Sequence, residues 1–152
     1  QYPDLIALPC YRWTHVVIVP QGHALAEQPL TLERLAREPI ITYEPGYTGR
    51  SHIDEAFAAA GLAPQIALSA MDADVIKTYV ELGLGVGIVA SIAFDAERDR
   101  GLQALDARHL FADNMTRIAV RRSAYLRDYV YAFIQTFAPP LERAAVERAR
   151  GE

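Results

Sequence analysis

A chain of 152 residues has room for one ordinary domain with a real core, and about half of it is apolar, without a low-complexity tract. The formal charge of −4 argues against a broad nucleic-acid-binding face. The single cysteine, Cys10, excludes an internal disulfide and favours a reducing, cytoplasmic setting, and no apolar run reaches membrane-spanning length. Nothing at the start reads as a signal peptide. The chain opens Gln1-Tyr2-Pro3 in place of Met, as expected of a fragment.

In chain order, HVVIVP (His15 to Pro20) is β-branched and apolar, the pattern of a buried strand. Thr31 is the expected N-cap of a short helix that carries Leu32, Leu35 and Ala36 on one face. PIITY, ending at Tyr43, is a second buried strand. The next helix is expected from Ser51, with Ser51 and Asp54 spaced as a capping box and Ile53, Phe57 and Ala60 as its apolar face. Gly61 is its left-handed C-cap and Pro64 its stop. QIALSA follows as a strand in which Ile66 and Leu68 alternate.

Asp72 or Asp74 caps a helix carrying Val75, Ile76, Tyr79, Val80 and Leu82, with Gly83 and Gly85 at its end. VGIVA is another buried strand, ERDRG a loop and LQALDA a weak strand. MTRIAVRRS alternates Ile118 and Val120 with arginines, a strand with one wet side. From Tyr125, the residues Leu126, Tyr129, Val130, Phe133, Ile134 and Phe137 mark an amphipathic helix. A short frayed helix over 141–150 closes the chain.

Strands alternating with helices predict an α/β sheet, in which ligands gather beyond the carboxyl ends of the strands. The loops EPGYTGRS and SAMDAD both belong to that edge. In the first, Gly46 and Gly49 relax the backbone, a helix N-terminus lies behind, Thr48 and Ser51 offer hydroxyls, and Arg50 adds a charge. Two readings stand side by side: an anion cradle, or a turn in which Thr48 or Ser51 merely caps the helix.

Other chemistry finds little support. His15, His23, His52 and His109 are scattered without metal-ligand spacing, so no metal or cofactor is expected. Cys10 precedes a strand instead of opening a helix, which fits a buried apolar role better than a nucleophile. Asp72 and Asp74 are better explained by capping than as an acid pair, and no catalytic residue is assigned. GLGVGIVA leads into a strand, so its glycines are read as packing glycines. Lys77 is read as a solvated surface lysine, and Arg117, Arg121, Arg122 and Arg127 as a solvated edge. Trp13 fits a core or lobe-interface aromatic slightly better than the wall of a ligand cleft.

The stretches LPCYRWTHVVIVPQGHAL, TYEPGYTGRSHIDEAFAAAGLAPQI, DADVIKTYVELGLGVGIVAS and RRSAYLRDYVYAFIQTFAP resemble the effector-binding region of LysR-type transcriptional regulators, from about Asp4 to Pro139. LPCYRW, GYTGRS and DADVIKTYV resemble its CysB subgroup in particular. The resemblance implies a periplasmic-binding-protein-like α/β fold of two lobes with the effector in the cleft. It further implies that residues 1–13 end lobe one, 14–116 form lobe two, and 117–152 return to an incomplete lobe one. A winged helix-turn-helix outside this chain would bind DNA, and the protein would be a cytoplasmic homodimer or homotetramer controlling sulfur assimilation and cysteine biosynthesis. In such dimers the helix at about Ser51 to Ala60 packs against a partner.

The implied effector is a small anion of the acetylserine, sulfate or thiosulfate class. The family's threonine contact carries over to Thr48 and its effector-linked tryptophan to Trp13; Tyr47, Gly49, Arg50 and Ser51 complete the expected site. Pro45 replaces a usual bulky residue and stiffens the loop. A periplasmic solute-binding protein of the same fold is the alternative, and an enzyme in the same cleft a weaker one.

Overall fold

Apolar β-branched runs become buried strands here because both faces of the sheet they join are covered. The computed structural model describes residues 3–151; the opening Gln1-Tyr2 and the last residue of the expected C-terminal segment lie outside the described residues. The chain divides into two compact units, one of residues 13–114 and one of residues 1–12 with 115–152.

The larger unit holds β2 (His15–Pro20), α1 (Leu32–Leu35), β3 (Ile40–Tyr43), α2 (Arg50–Ala59), β4 (Ile66–Ala70), α3 (Ala73–Glu81), β5 (Val86–Ala90) and β6 (Leu102–Asp106). Its strands form one sheet in the order β4-β3-β5-β2-β6. β3 runs parallel to β4 and β5, while β2 is antiparallel to β5 and β6. Along β2 the side chains alternate between two cores. Val17 and Val19 join Ile53 and Phe57 of α2 on one face, and Ile18 joins Ile76 and Val80 of α3 on the other. Each such side chain, fully buried, contributes about 1.5–3 kcal/mol.

Two of the GLGVGIVA glycines serve close packing, as expected: a Cβ on Gly85, just before β5, would strike the Pro39 carbonyl, and one on Gly87, within β5, would strike Ile18; Gly83 has nothing within 4 Å and serves the turn instead. Local signals also resolve as read at several ends. Thr31 Oγ1 accepts from the Arg34 N–H at 3.3 Å, and Asp72 Oδ1 accepts from the Asp74 N–H at 2.6 Å. Gly61 and Gly83 take positive φ just past their helices.

Other expectations are corrected. α2 begins at Arg50, with Gly49 as a left-handed N-cap at φ 70° and no side-chain cap. Ser51 is therefore inside the helix, and Asp54 pairs with Arg50 instead of completing a capping box. Ala60 is exposed, and Ala56 takes its place beside Ile53 and Phe57. β4 is an edge strand, so Leu68 is exposed instead of alternating into the core. On α3, Val75 and Leu82 are exposed as well. Lys77 is not a solvated lysine. Its side chain is only 14% exposed; its ammonium pairs with Asp74 at 2.8 Å and Asp99 at 3.1 Å and donates to the Ala93 carbonyl at 3.1 Å. Burial opposes that charge, but the hydrogen bonds to Asp74 and Asp99 outweigh it and raise the Lys77 pKa.

The smaller unit is built on a two-stranded sheet of β1 (Leu5–Trp13) and β7 (Asn114–Arg121), whose end residues Trp13 and Asn114 belong to the larger unit. α4 (Asp128–Phe137) and α5 (Arg143–Arg150) complete it. α4 starts three residues later than the sequence pattern placed it, leaving Tyr125 exposed. It buries Tyr131 and Ile134, while Tyr129 (68% exposed) and Phe133 (62%) face solvent. The apolar stripe is thus wider than the face this unit covers. α5 is anchored, not frayed: Val146 is fully buried, and the Arg150 guanidinium donates to the carbonyls of Arg122 and Ala124 and to the Tyr131 hydroxyl. Cys10 is half-buried, its thiol 3.5 Å from the Leu8 carbonyl. Arg117, Arg121, Arg122 and Arg127 are all exposed.

Candidate functional site

Within the larger unit, one edge of the sheet collects the chain's least regular segments. β3 and β5 end there at Tyr43 and Ala90, and β4 ends at Ala70, paired with Tyr43. Antiparallel β2 begins at the same edge, because His15 pairs with Ala90. The loops after β3 and β4 therefore leave from one side, beside the turn Ser91–Ala93 that follows β5. The Tyr43 hydroxyl braces this edge by accepting from the Ala90 N–H at 3.1 Å; burial, the larger effect, raises its pKa.

The loop after β3 has an unusual backbone. Gly46 and Gly49 have φ of 88° and 70°, and Thr48 between them has φ 37°. A β-branched residue in the left-handed region is strained by about 1–3 kcal/mol, so the surroundings must hold it there. They do so partly through the backbone, as the Arg50 N–H donates to the Tyr47 carbonyl at 2.8 Å. Among the described residues, the N–H groups of Thr48, Gly49 and Ser51 have no backbone acceptor. Three donors thus cluster at the start of α2, where the helix dipole is positive.

Thr48 and Ser51 are exposed, Gly49 is half-buried, and Tyr47 is 47% exposed. Arg50 behaves differently. It is buried, donating to the Tyr43 carbonyl at 2.6 Å, to Asp54 at 2.7 Å and to Ser69 at 3.5 Å. Its guanidinium ties α2 to the ends of β3 and β4, so its charge is spent inside the fold and not presented on the loop.

Two residues that sequence reasoning passed over support the loop from beneath. His15 is completely buried, with Nε2 3.4 Å from the Thr48 carbonyl and Nδ1 3.5 Å from the Asn114 side-chain nitrogen. Asn114 is itself buried. Burial chiefly, and His52 to a smaller degree, push the His15 pKa down to about 4 against the opposing Thr48 hydrogen bond, so the ring is neutral at pH 7. The Trp13 and Phe111 rings meet the imidazole at steep angles of 70° and 76°, with centroids 5.2 and 5.6 Å away. Trp13 is half-buried, so it is both a packing partner of His15 and a surface beside it. The one sequence cue to His15 was a polar side chain heading an otherwise apolar strand; Asn114 offered none.

No group of three or more metal-ligating side chains occurs among the described residues, and none of their helices is long and apolar enough to cross a membrane.

The family model of the LysR substrate binding domain matches residues 1–139. The chain belongs to that family. Among curated relatives, the HTH-type transcriptional regulator SsuR of Burkholderia cenocepacia is 54% identical over 147 residues, 96% of this chain and 48% of that protein. The HTH-type transcriptional regulator CysB of Haemophilus influenzae is 50% identical over 97% of this chain and 46% of its own length. The chain thus spans about half the length of the curated relatives it matches. Among solved structures, the cofactor-binding domain of the Cbl transcriptional regulator superposes with a TM-score of 0.91 at 45% identity, covering 97% of this chain and 65% of that one. The effector-binding domain of QuiR in complex with shikimate shares the fold, with a TM-score of 0.77 at 20% identity over 93% of this chain and 69% of its own. The fold is therefore the periplasmic-binding-protein-like α/β fold of LysR effector domains, and the LysR and CysB-type resemblance read from the sequence holds.

Proposed function

We propose that this LysR substrate-binding domain is the sensing part of a CysB-like, DNA-binding transcriptional regulator, and that its loop 46–51 binds a small oxyanion. The acetylserine, sulfate and thiosulfate class fits the loop's chemistry, and control of sulfur assimilation and cysteine biosynthesis follows from the kinship with SsuR, CysB and Cbl. The observation that carries the reading is Thr48 held at φ 37° beside three N–H groups without backbone acceptors, at the start of α2. Such an arrangement recognises negative charge through dipoles and hydroxyls. Thr48, Gly49 and Ser51 supply the donors, while Tyr47 and Trp13 shape the surroundings. Arg50 acts through the backbone it holds.

The DNA-binding part lies outside this chain, in the cytoplasm, and the protein acts as a homodimer or homotetramer whose arrangement the anion biases by about 1–3 kcal/mol. The division into 1–13, 14–116 and 117–152, with the last segment completing lobe one, is part of the same proposal. The two compact units and the exposed apolar side of α4 support it. The relatives named above are regulators, which favours this reading over a solute-binding protein of the same fold, and no enzymatic role is assigned.

Calorimetric titration of the intact protein with sulfate, thiosulfate and acetylserine tests it. At least one should bind without turnover, and Thr48→Ala should weaken that binding by about 1–2 kcal/mol, as for a hydrogen bond to a charged group. Product formation, or an affinity indifferent to Thr48→Ala, refutes the proposal.

A further inference from the structure

The strain at Thr48 needs a counterpart, and the loop's own backbone provides only part of it. The Thr48 carbonyl is engaged from the interior by His15, a residue 33 positions away in sequence, and His15 is engaged in turn by Asn114, 99 positions further on. A carbonyl has no proton to give, so His15 Nε2 must carry one; burial keeps the ring neutral, which leaves Nδ1 to accept from the Asn114 carboxamide. Only one tautomer satisfies both neighbours. The rings of Trp13 and Phe111 meet the imidazole edge-on and restrict its plane. Asn114 also lies close against the loop itself: a Cβ on Gly49 would collide with its carboxamide.

We propose that His15 and Asn114 are positioning residues, a buried relay that keeps the Thr48 carbonyl turned inward and so leaves the Thr48, Gly49 and Ser51 N–H groups available to the ligand. This rests on the anion reading of the loop given above. Neither residue touches the ligand. Masking the Thr48 carbonyl withdraws one acceptor from beside the three donors, which suits a fully ionised oxyanion.

Two measurements on the intact protein decide it. Long-range nitrogen–proton correlation spectra at neutral pH should show His15 as a neutral ring protonated at Nε2; an Nδ1-protonated, charged or averaged ring overturns the proposal and needs no variant. In sulfate titrations, His15→Phe should lower affinity about tenfold, the equivalent of one lost hydrogen bond, and Asn114→Ala should lower it in the same direction. His15→Gln should stay within about threefold of wild type, since its side-chain N–H can still donate to the Thr48 carbonyl. Wild-type binding with an unchanged His15→Phe affinity, or with equal losses for His15→Phe and His15→Gln, overturns the positioning role alone. A wild-type protein that binds none of the three anions refutes the proposed function, and the positioning role falls with it.

Discussion

His15 links the candidate site to the stability of the fold, and lowering the pH perturbs it selectively. Its pKa is pushed from the ordinary 6.5 to about 4, mainly by burial. Between these values the unfolded chain binds a proton that the folded protein refuses. Stability from this group is therefore complete above the unfolded pKa and is lost as pH falls towards the folded one. A 2.5-unit difference corresponds to a limit of about 3 kcal/mol, and the fall between about pH 7.5 and about pH 4.5 is about 2.5 kcal/mol. Asp74 and Asp106 have their carboxyls held below the usual carboxylate range by hydrogen bonds from Lys77 and Arg108. Their contributions fade only below about pH 4, outside that window. Urea unfolding followed by Trp13 fluorescence across the window measures the slope. His15→Gln, which has no proton to take up, should flatten it by about 2 kcal/mol. Equal slopes in the two proteins would show that the ring is not a buried neutral group.

Gly49→Ala places a Cβ at φ 70° against Asn114, and should cost about 1–3 kcal/mol in urea unfolding while weakening sulfate binding in calorimetry. Lys77→Ala leaves Asp99, whose side chain is 11% exposed, without its ammonium partner; a loss of about 2 kcal/mol is expected by the same method, and a change under about 0.5 kcal/mol would return Lys77 to the surface class. Thr31→Ala removes the cap on the Arg34 N–H and should lower stability by about 1 kcal/mol without altering anion binding.

The strands and helices of the larger unit were legible because their causes are short-range. A β-branched apolar run, a threonine or aspartate before a helix, and a glycine after one each act over a few residues, so HVVIVP, Thr31, Gly61 and Gly83 announced their roles, and the cap of α3 was narrowed to Asp72 or Asp74. The same locality explains the errors at Ser51 and Ala60. Gly49 entered the helix earlier than a serine cap would have, and the helix face that packs was chosen by β2 and its neighbours. Along α4 the apolar period was real, but periodicity says only that a face is apolar, not how much of it a neighbour covers.

For the site, the amino-acid sequence by itself determined the donor-rich loop, its place at the strand-end edge and the glycines that let it turn. Tertiary structure decided how the loop's charge and strain are managed. It buried Arg50 against the Tyr43 carbonyl and Asp54, and it brought His15 and Asn114 beneath Thr48. The reason is distance along the chain. Propensity and capping act between near neighbours, whereas the partner of a buried polar group is set by which strands lie side by side, and His15 meets Asn114 only once the sheet has formed.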